Sequence, residues 1–262
     1  MAELLVIKIG GNIIDDEAKL SSFLQSFAAI ESPKILIHGG GKLATQLAER
    51  LNIPQQMVEG RRITDAETLK IVTMVYAGYI NKNIIARLQS FHCNSIGLCG
   101  ADGNIILAHK RQHPTLDYGF VGDIDTVNIS LLKDCLANEL TPVVAPITSD
   151  KKGQLLNTNA DTVAQEIAKA MSGLYEVELI YTFEKKGVMF DVNDDSSVIS
   201  NINSGKYHQL KAENKIFAGM IPKLDNAFAA LNSGVKKVRI GKAEELEQLI
   251  EGKTGTVISN ES

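Results

Sequence analysis

The chain has 262 residues, of which 44% are hydrophobic and 22% charged, so it can bury a core in one large domain or two modest lobes. Its net charge of -4, without a basic stripe, argues against a nucleic-acid-binding protein. The three cysteines (Cys93, Cys99 and Cys135) form no CxxC motif and favour a cytoplasmic protein with reduced thiols, and no apolar run approaches the roughly 20 residues of a membrane span.

The beginning of the chain alternates strand-like and helix-like apolar patterns. Leu4–Ile7 and Lys34–His38 are predicted strands, and apolar residues at helical spacing follow each of them, at 20–30 and 43–51. This β-α-β-α order predicts a parallel sheet with helices on both faces.

The same patterns continue to the end of the chain. Up to residue 175 they predict a helix at Asp65–Gln89, strands at Ser95–Cys99, Ile105–Ala108 and Pro142–Pro146, a hairpin at Asp117–Asn128 and a helix at Asn159–Gly173. Beyond it they predict strands at Glu178–Tyr181, Lys237–Ile240 and Thr256–Ile258, and helices at Lys206–Asn214, Pro222–Asn232 and Ala243–Ile250. We place a lobe boundary near residue 175.

Lys8 ends an otherwise apolar strand, where an isolated ammonium group would lose hydration without gaining an anion. Gly10 and Gly11 follow, and glycines let backbone N–H groups approach a phosphate closely. This arrangement predicts an anion site at the carboxyl end of a parallel strand. The alternative is a lysine that reaches water from the strand end.

Three consecutive glycines follow the second strand, in His38-Gly39-Gly40-Gly41. Such a run is entropically costly, so it indicates either a very tight turn or a cradle for an anion or substrate. It is not a P-loop, because Leu36 stands where that motif needs glycine and Leu43 where it needs serine or threonine.

Polar residues at three further places have both a functional and a purely structural interpretation, which for Lys223 is an exposed lysine at a cost of a few tenths of a kcal/mol. Arg62, in Gly60-Arg61-Arg62, could bind a carboxylate bidentately, or could be a surface charge. The run Asn157–Asp161 precedes a helix, and capping needs only one of its three Asn and Asp residues. Lys223 lies in the first turn of a predicted helix, where the helix dipole disfavours a cation unless an anion binds.

The chain resembles the amino acid kinase family from residue 3 to about 258, on five motifs in the family's order and spacing: Lys8-x-Gly10-Gly11, His38-Gly39-Gly40-Gly41, Gly60-x-Arg62, Asn157-x-Asn159-x-Asp161 and Gly219-Met220-x-x-Lys223. The resemblance implies an α/β fold, a three-layer αβα sandwich around a mostly parallel central sheet, with two lobes. Residues 1–175 would bind an N-acylated glutamate and form a dimer contact, and residues 176–262 would bind ATP.

The resemblance also implies a reaction. ATP, carrying Mg²⁺ on its phosphates, would phosphorylate the γ-carboxylate of N-acetyl-L-glutamate, giving N-acetyl-L-glutamyl 5-phosphate for arginine biosynthesis. No resident metal site is expected. A carboxylate acceptor is already ionised at neutral pH, so no general base is needed, and charge neutralisation carries the catalysis.

The roles transfer to residues that match the family's motifs. Lys8 and Lys223 would flank the transferring phosphoryl group, with Asp161 orienting both. The implied substrate-binding residues are Gly40, Gly41, Arg62 and Asn157. The implied phosphate or ATP contacts are Lys8, Gly10, Gly11, Thr182, Gly187 and Lys223.

The sequence departs from the family pattern at two places. The loop Thr182–Gly187 is one residue longer than usual and lacks an aspartate, which affects its expected nucleotide contacts. Arg61 replaces a residue that is more often uncharged, so N-succinyl-L-glutamate is an alternative substrate.

Other functions and an assembly state follow from the same comparison. The rival kinases are aspartokinase, glutamate 5-kinase, carbamate kinase and uridylate kinase, and the rival of another class is a non-catalytic amino-acid-binding regulatory protein. Because the chain begins almost at its first strand, without the extra N-terminal helix of arginine-inhibited relatives, we expect an arginine-insensitive homodimer, joined through the Asp65–Gln89 helix.

Overall fold

The structure is a computed structural model that describes residues 1–58, 61–191, 193–213, 215–216 and 220–260. The side chains of Arg61 and Pro222 also fall outside the description. Three positions from the motifs and predicted helices above, Gly60, Asn214 and Gly219, therefore lie outside the described residues.

Strands and helices alternate along much of the chain. The strands are β1 (Glu3–Ile9), β2 (Lys34–His38), β3 (Gln56–Val58), β4 (Arg61–Ile63), β5 (Ser95–Cys99), β6 (Ile106–Lys110), β7 (Gly122–Val127), β8 (Thr141–Ala145), β9 (Ile147–Ser149), β10 (Leu155–Asn157), β11 (Glu176–Phe183), β12 (Asn201–Ile202), β13 (Lys237–Lys242) and β14 (Thr256–Ile258). The α-helices are α1 (Gly11–Ile14), α2 (Glu17–Ala28), α3 (Gly41–Arg50), α4 (Ala66–Val72), α5 (Asn81–Ser90), α6 (Ile129–Ala137), α7 (Ala160–Met171), α8 (Ser204–Ala212), α9 (Ile221–Asn232) and α10 (Leu246–Ile250).

Within the described residues the main sheet has eight strands, in the order β12-β14-β13-β11-β1-β2-β8-β5. The pair β13–β14 is antiparallel and the other neighbours run parallel. In this register Ile9 of β1 lies opposite both His38 and Thr182. The carboxyl ends of three strands therefore meet at one edge, the edge where ligands bind in open parallel sheets.

The sheet is covered on both faces, because β1 sends alternate side chains into two separate cores. Leu4 and Val6 belong to a cluster that includes residues of α7 and α9. Leu5, Ile7 and Ile9 belong to a second cluster that includes residues of α2 and α5. The three-layer αβα arrangement around a mostly parallel sheet is thus confirmed.

Most predicted elements appear, with two departures. The Asp65–Gln89 helix is continuous, but Thr73–Ile80 is π-helical and connects α4 to α5. The predicted hairpin at Asp117–Asn128 is wrong, because β7 pairs with β6, while Gly119 bridges to Thr64 and Val121 to Asn157. An alternating pattern reflects which side chains are buried and does not identify the partner strand.

The strands on either side of the expected lobe boundary belong to one sheet. β11 pairs with β1 in parallel from Glu176 to Thr182. The division into residues 1–175 and 176–262 stays a prediction about ligand binding. Among the described residues, no helix has the length and apolar character to span a membrane.

Candidate active site

Three charged side chains meet at the carboxyl edge of the sheet. Lys8 comes from β1, Asp161 from the first turn of α7 and Lys223 from the first turn of α9. Lys8 Nζ lies 2.8 Å from Asp161 Oδ1, and Lys223 Nζ lies 2.6 Å from Asp161 Oδ2. One carboxylate therefore holds two ammonium groups that are far apart in the sequence.

The electrostatics of this triad favour an incoming anion. The side chains of Lys8, Asp161 and Lys223 are 13%, 17% and 27% exposed, so water screens them only partly. Burial alone would raise the pKa of the Asp161 carboxyl, but the two lysines outweigh burial and hold the pKa well below its usual range. With Asp161 ionised, the triad carries one net positive charge that a phosphoryl group can neutralise.

Tyr181 lies beneath the triad and was not singled out from the sequence. Its hydroxyl donates to the Asp161 carbonyl at 3.2 Å, and Lys223 Nζ lies 5.9 Å from the centre of its ring. Burial, followed by the nearby charges of Asp161 and Glu166, raises the pKa of Tyr181 well above its ordinary value. The phenol therefore stays protonated and acts as a fixed donor to the first turn of α7.

The glycine run forms the tight turn between β2 and α3. Gly40 has a φ of +142°, and a Cβ on it would lie 2.0 Å from Ile80 Cδ1. Ile80 belongs to the π-helical segment, which therefore packs directly against this turn. Only glycine fits the backbone conformation and the space at position 40.

Buried His38 holds the same turn. Its Nδ1 lies 2.9 Å from the Gly39 carbonyl oxygen, and its Nε2 lies 3.1 Å from Asn81 Nδ2. Burial lowers the pKa of His38 to about 4, so the ring is neutral at neutral pH. The contacts then require that Nδ1–H donates to Gly39 and that Nε2 accepts from the Asn81 amide.

A cavity of about 210 Å³ opens beside this turn. Residues from several separate parts of the chain line it, and the four residues predicted to bind the substrate are among them: Gly40, Gly41, Arg62 and Asn157. The fold therefore brings the four predicted substrate-binding residues together around one cavity.

Arg62 is 8% exposed and is tied to the beginning of α3. It donates from Nη2 to the Gly41 carbonyl at 2.9 Å and to Thr45 Oγ1 at 2.8 Å, and from Nη1 to Gln55 Oε1. It is thus a buried cavity arginine and not a surface charge. The side chain of neighbouring Arg61 is outside the described residues.

The polar run before α7 divides its tasks. Asn159 caps the helix, since its side-chain oxygen accepts from the N–H groups of Asp161 at 2.8 Å and Thr162 at 3.2 Å. Asn157 lines the cavity and donates to Thr64 Oγ1 at 3.0 Å. The interpretation that the run holds more than a cap agrees with this arrangement, because Asp161 contacts the lysines.

The residues expected to contact ATP are partly engaged within the protein. Gly10 N–H donates to the Thr182 carbonyl at 2.9 Å, and Thr182 Oγ1 donates to the Lys8 carbonyl at 3.0 Å. Gly187 packs so closely that a Cβ would lie 2.7 Å from Thr256 Oγ1. By contrast, Gly11 begins α1, where the first N–H groups have no acceptor within the helix. The contacts of Gly10, Gly11, Thr182 and Gly187 with ATP stay predictions.

Among the cavity residues that the sequence motifs did not predict are two large polar side chains, Tyr76 and Arg111. Tyr76, in the π-helical segment, lines the cavity beside Arg62. Arg111 lines it too, and its Nε lies 3.0 Å and 3.1 Å from the two carboxylate oxygens of Asp123. Tyr76 lies in a long helix and Arg111 in a polar loop. Neither the helical period nor a local motif indicates which distant residues a side chain contacts in the folded chain.

Two lysines that pair with one aspartate beside a glycine-lined cavity, at the carboxyl edge of a mostly parallel sheet, are typical of an α/β phosphotransferase. The model of the amino acid kinase family matches residues 3–242, and the chain belongs to that family. It is 57% identical over 256 residues to an acetylglutamate kinase of Cytophaga hutchinsonii, covering 97% of each chain. It is 53% identical over 244 residues to an acetylglutamate kinase of Bacteroides fragilis, covering 93% of this chain and 94% of the relative.

Solved structures show the same fold. A Streptococcus mutans protein has a TM-score of 0.80 at 26% identity, with 99% of both chains covered. The N-acetylglutamate synthase of Neisseria gonorrhoeae, complexed with coenzyme A and N-acetyl-glutamate, has a TM-score of 0.84 at 20% identity. That match covers all of this chain and 60% of the synthase chain, and it indicates the fold alone.

Proposed function

We propose that this chain transfers the γ-phosphoryl group of ATP to the γ-carboxylate of N-acetyl-L-glutamate, giving N-acetyl-L-glutamyl 5-phosphate in arginine biosynthesis. The observation that carries the proposal is the Lys8–Asp161–Lys223 triad, because Asp161 lies on α7 between Ala160 and Thr162, which both line the cavity. The names of the relatives at 57% and 53% identity support the choice of substrate.

The chemistry needs charge stabilisation more than proton transfer. A γ-carboxylate oxygen forms the new bond to phosphorus while the bond to the β–γ bridging oxygen breaks and ADP leaves. Lys8 and Lys223 neutralise charge that spreads over the phosphoryl oxygens, and Asp161 holds both ammonium groups in place beforehand. Mg²⁺ enters as part of the ATP substrate.

The acceptor is bound on the side of the glycine turn. Arg62 pairs with the α-carboxylate, Asn157 supplies an amide group, and Gly40 and Gly41 let the backbone approach the ligand. Residues 1–175 form this lobe and residues 176–262 form the ATP lobe.

The phosphate contacts fall where the two lobes join. Thr182 and Gly187 belong to the ATP lobe, and Gly10 and Gly11 of the first lobe adjoin it through the contact between Gly10 and Thr182. The backbone N–H of Gly11 is a suitable donor, because Gly11 is the first residue of α1 and its N–H has no acceptor within that helix.

The second candidate is the same reaction on N-succinyl-L-glutamate. Two arginines, Arg62 and Arg111, line the cavity. A dicarboxylic acyl group brings a third carboxylate, which a second cavity arginine could bind.

We further propose that the protein acts as a cytoplasmic homodimer. The free cysteines suit a reducing compartment. Met74 and Tyr79 on the π-helical segment are 55% and 66% exposed, and a groove runs between this segment and α3. A second copy would cover these apolar side chains.

The decisive experiment traps the acyl phosphate with hydroxylamine. Wild-type protein with ATP, Mg²⁺ and N-acetyl-L-glutamate should form a hydroxamate, and Lys8→Met should reduce its rate by about two orders of magnitude or more. Lys19→Met, which removes a half-exposed lysine 3.8 Å from Glu244, is the matched control and should keep wild-type activity. Binding of an acylglutamate by calorimetry without any hydroxamate would favour the regulatory-protein alternative.

A further inference from the structure

We propose that Arg111 is a specificity-determining residue whose free Nη1 binds an oxygen of the substrate's N-acyl group. The inference rests on the proposed function and extends it, since it names the part of the cavity that distinguishes one acyl group from another.

Arg111 is held in a fixed position before any ligand arrives. Its backbone N–H donates to the Val121 carbonyl at 2.7 Å, and its guanidinium is bidentate to Asp123 through Nε and Nη2. Its Cζ also lies 5.6 Å from the centre of the Tyr118 ring. A planar guanidinium held on one edge and one face presents its remaining edge rigidly, so little entropy is lost when it binds a ligand.

The remaining edge of Arg111 lacks an acceptor. Its Nη1 is buried and has no hydrogen-bond partner among the residues that the structure describes, although Arg111 lines the cavity. Buried N–H groups of charged side chains are nearly always bonded, because leaving one unpaired is costly. An oxygen acceptor on a ligand in the cavity would satisfy this donor.

The proposed function assigns partners to the other polar ends of an acylglutamate. The reacting carboxylate belongs at the α7 end, near Asp161, and the α-carboxylate belongs with Arg62 at the start of α3. Arg111 approaches from the β6–β7 hairpin, next to Val121, which bridges to Asn157. The acyl group is the part of the substrate that remains for this side.

The charge on Arg111 is largely balanced by Asp123, so a neutral carbonyl oxygen is a sufficient acceptor. The terminal carboxylate of a succinyl group presents the same chemistry to Nη1. In both cases an oxygen of the acyl group accepts a hydrogen bond from Nη1. If the acceptor is the amide carbonyl, both acyl substrates depend on Arg111, and if it is the terminal carboxylate, only the succinyl substrate does.

The test compares Arg111→Gln and Arg111→Lys with wild type, using N-acetyl- and N-succinyl-L-glutamate in the hydroxamate assay. We expect the KM of the acylglutamate to rise about tenfold or more, while kcat and the KM of ATP change less than about twofold. A rise for both substrates identifies the amide carbonyl, and a rise for the succinyl substrate alone identifies the terminal carboxylate. Lys110→Gln is the control, since Lys110 is half exposed and pairs with Asp117.

Two results would overturn the proposal. One is an unchanged KM for both acyl substrates in folded Arg111 variants. The other concerns a substrate whose α-carboxylate is replaced by an amide. If Arg111→Gln no longer raises the KM of that substrate, Arg111 binds the α-carboxylate and not the acyl group.

The test does not depend on one variant. If Arg111→Gln fails to fold, Arg111→Lys keeps the charge and can be used in its place. If wild type forms no hydroxamate at all, the proposed function fails, and calorimetric binding of each acylglutamate still tests Arg111.

Discussion

Lys223 Nζ lies 2.6 Å from Asp161 Oδ2, although 62 positions separate the two residues in the chain. The contact joins the first turns of α7 and α9. Each helix begins with its positive dipole end toward this point, where a cation is disfavoured and a carboxylate is favoured. Asp161 therefore offsets the unfavourable position of Lys223, and the same carboxylate also holds Lys8.

Asp161→Asn should lower kcat by about two orders of magnitude, because the amide cannot hold two ammonium groups in position. It should also lower the free energy of unfolding by about 1–3 kcal/mol, since the substitution removes two ion pairs, with Lys8 and Lys223, that water screens only partly. Hydroxamate kinetics and urea unfolding measure the two effects. Glu67→Gln, which removes an exposed carboxylate from a pair with Lys70, should change neither. Wild-type kcat in folded Asp161→Asn would remove Asp161 from the mechanism.

Arg62→Ala should mainly raise the KM of the acylglutamate, by about tenfold or more, with little change in the KM of ATP. The loss of a buried guanidinium that donates to Gly41 and Thr45 should lower stability as well. Arg87→Ala is a suitable comparison, because Arg87 is also mostly buried but donates to Asn83 on α5. If both variants raise the KM equally, the effect is general and Arg62 does not bind the substrate.

Gly40→Ala should destabilise the protein by about 1–3 kcal/mol, since position 40 combines a φ of +142° with a Cβ position 2.0 Å from Ile80 Cδ1. Gly40 lines the cavity, so a shift of the turn should also raise the KM of the acylglutamate. Thermal unfolding and kinetics provide the readouts. At Gly173 a Cβ would meet nothing within 4 Å, and Gly173→Ala should behave like wild type.

Acidification should destabilise the protein through His38. Burial lowers its pKa from 6.5 in the unfolded chain to about 4 in the folded state. The unfolded chain therefore binds a proton first, and stability that is full above about pH 6.5 is lost as the pH falls to about 4. The loss amounts to about 3 kcal/mol over that window. Urea unfolding across the window measures it.

The His38 effect has a matched control. His38→Gln should flatten the dependence of stability on pH between about 6.5 and 4, and exposed His208→Gln should leave it unchanged. An equally steep slope in His38→Gln would show that other groups cause it. Asp161 contributes separately and at lower pH, because its depressed pKa stabilises the folded state above the unfolded value of 3.8.

Tyr79→Asp should weaken self-association by placing a charge on the exposed apolar surface of the π-helical segment. Light scattering coupled to gel filtration should show a shift from dimer toward monomer as the protein is diluted. Phe190→Asp alters another exposed apolar side chain, 53% exposed and distant in sequence, and should leave the mass unchanged. A wild-type monomer would contradict the proposed dimer directly.

Local patterns were sufficient for the class of fold and for much of the candidate site. The apolar run at Leu4–Ile7 predicted a strand with helices on both sides, because a parallel strand must bury both faces. Lys8 and Lys223 were recognisable because each is placed where a cation is unfavourable without an anion. The glycine run before α3 was recognisable because such a run has few purely structural uses.

The partners of those residues depended on the tertiary structure. The alternation at 117–128 did not reveal that β7 pairs with β6, and Tyr76 and Arg111 gave no local signal that they line the cavity. The sequence by itself determined which residues carry unusual charge or conformational freedom. Only the tertiary structure decided that Asp161 lies between two lysines and that Arg111 keeps one free edge, because contacts between distant residues depend on how the strands are ordered in the sheet.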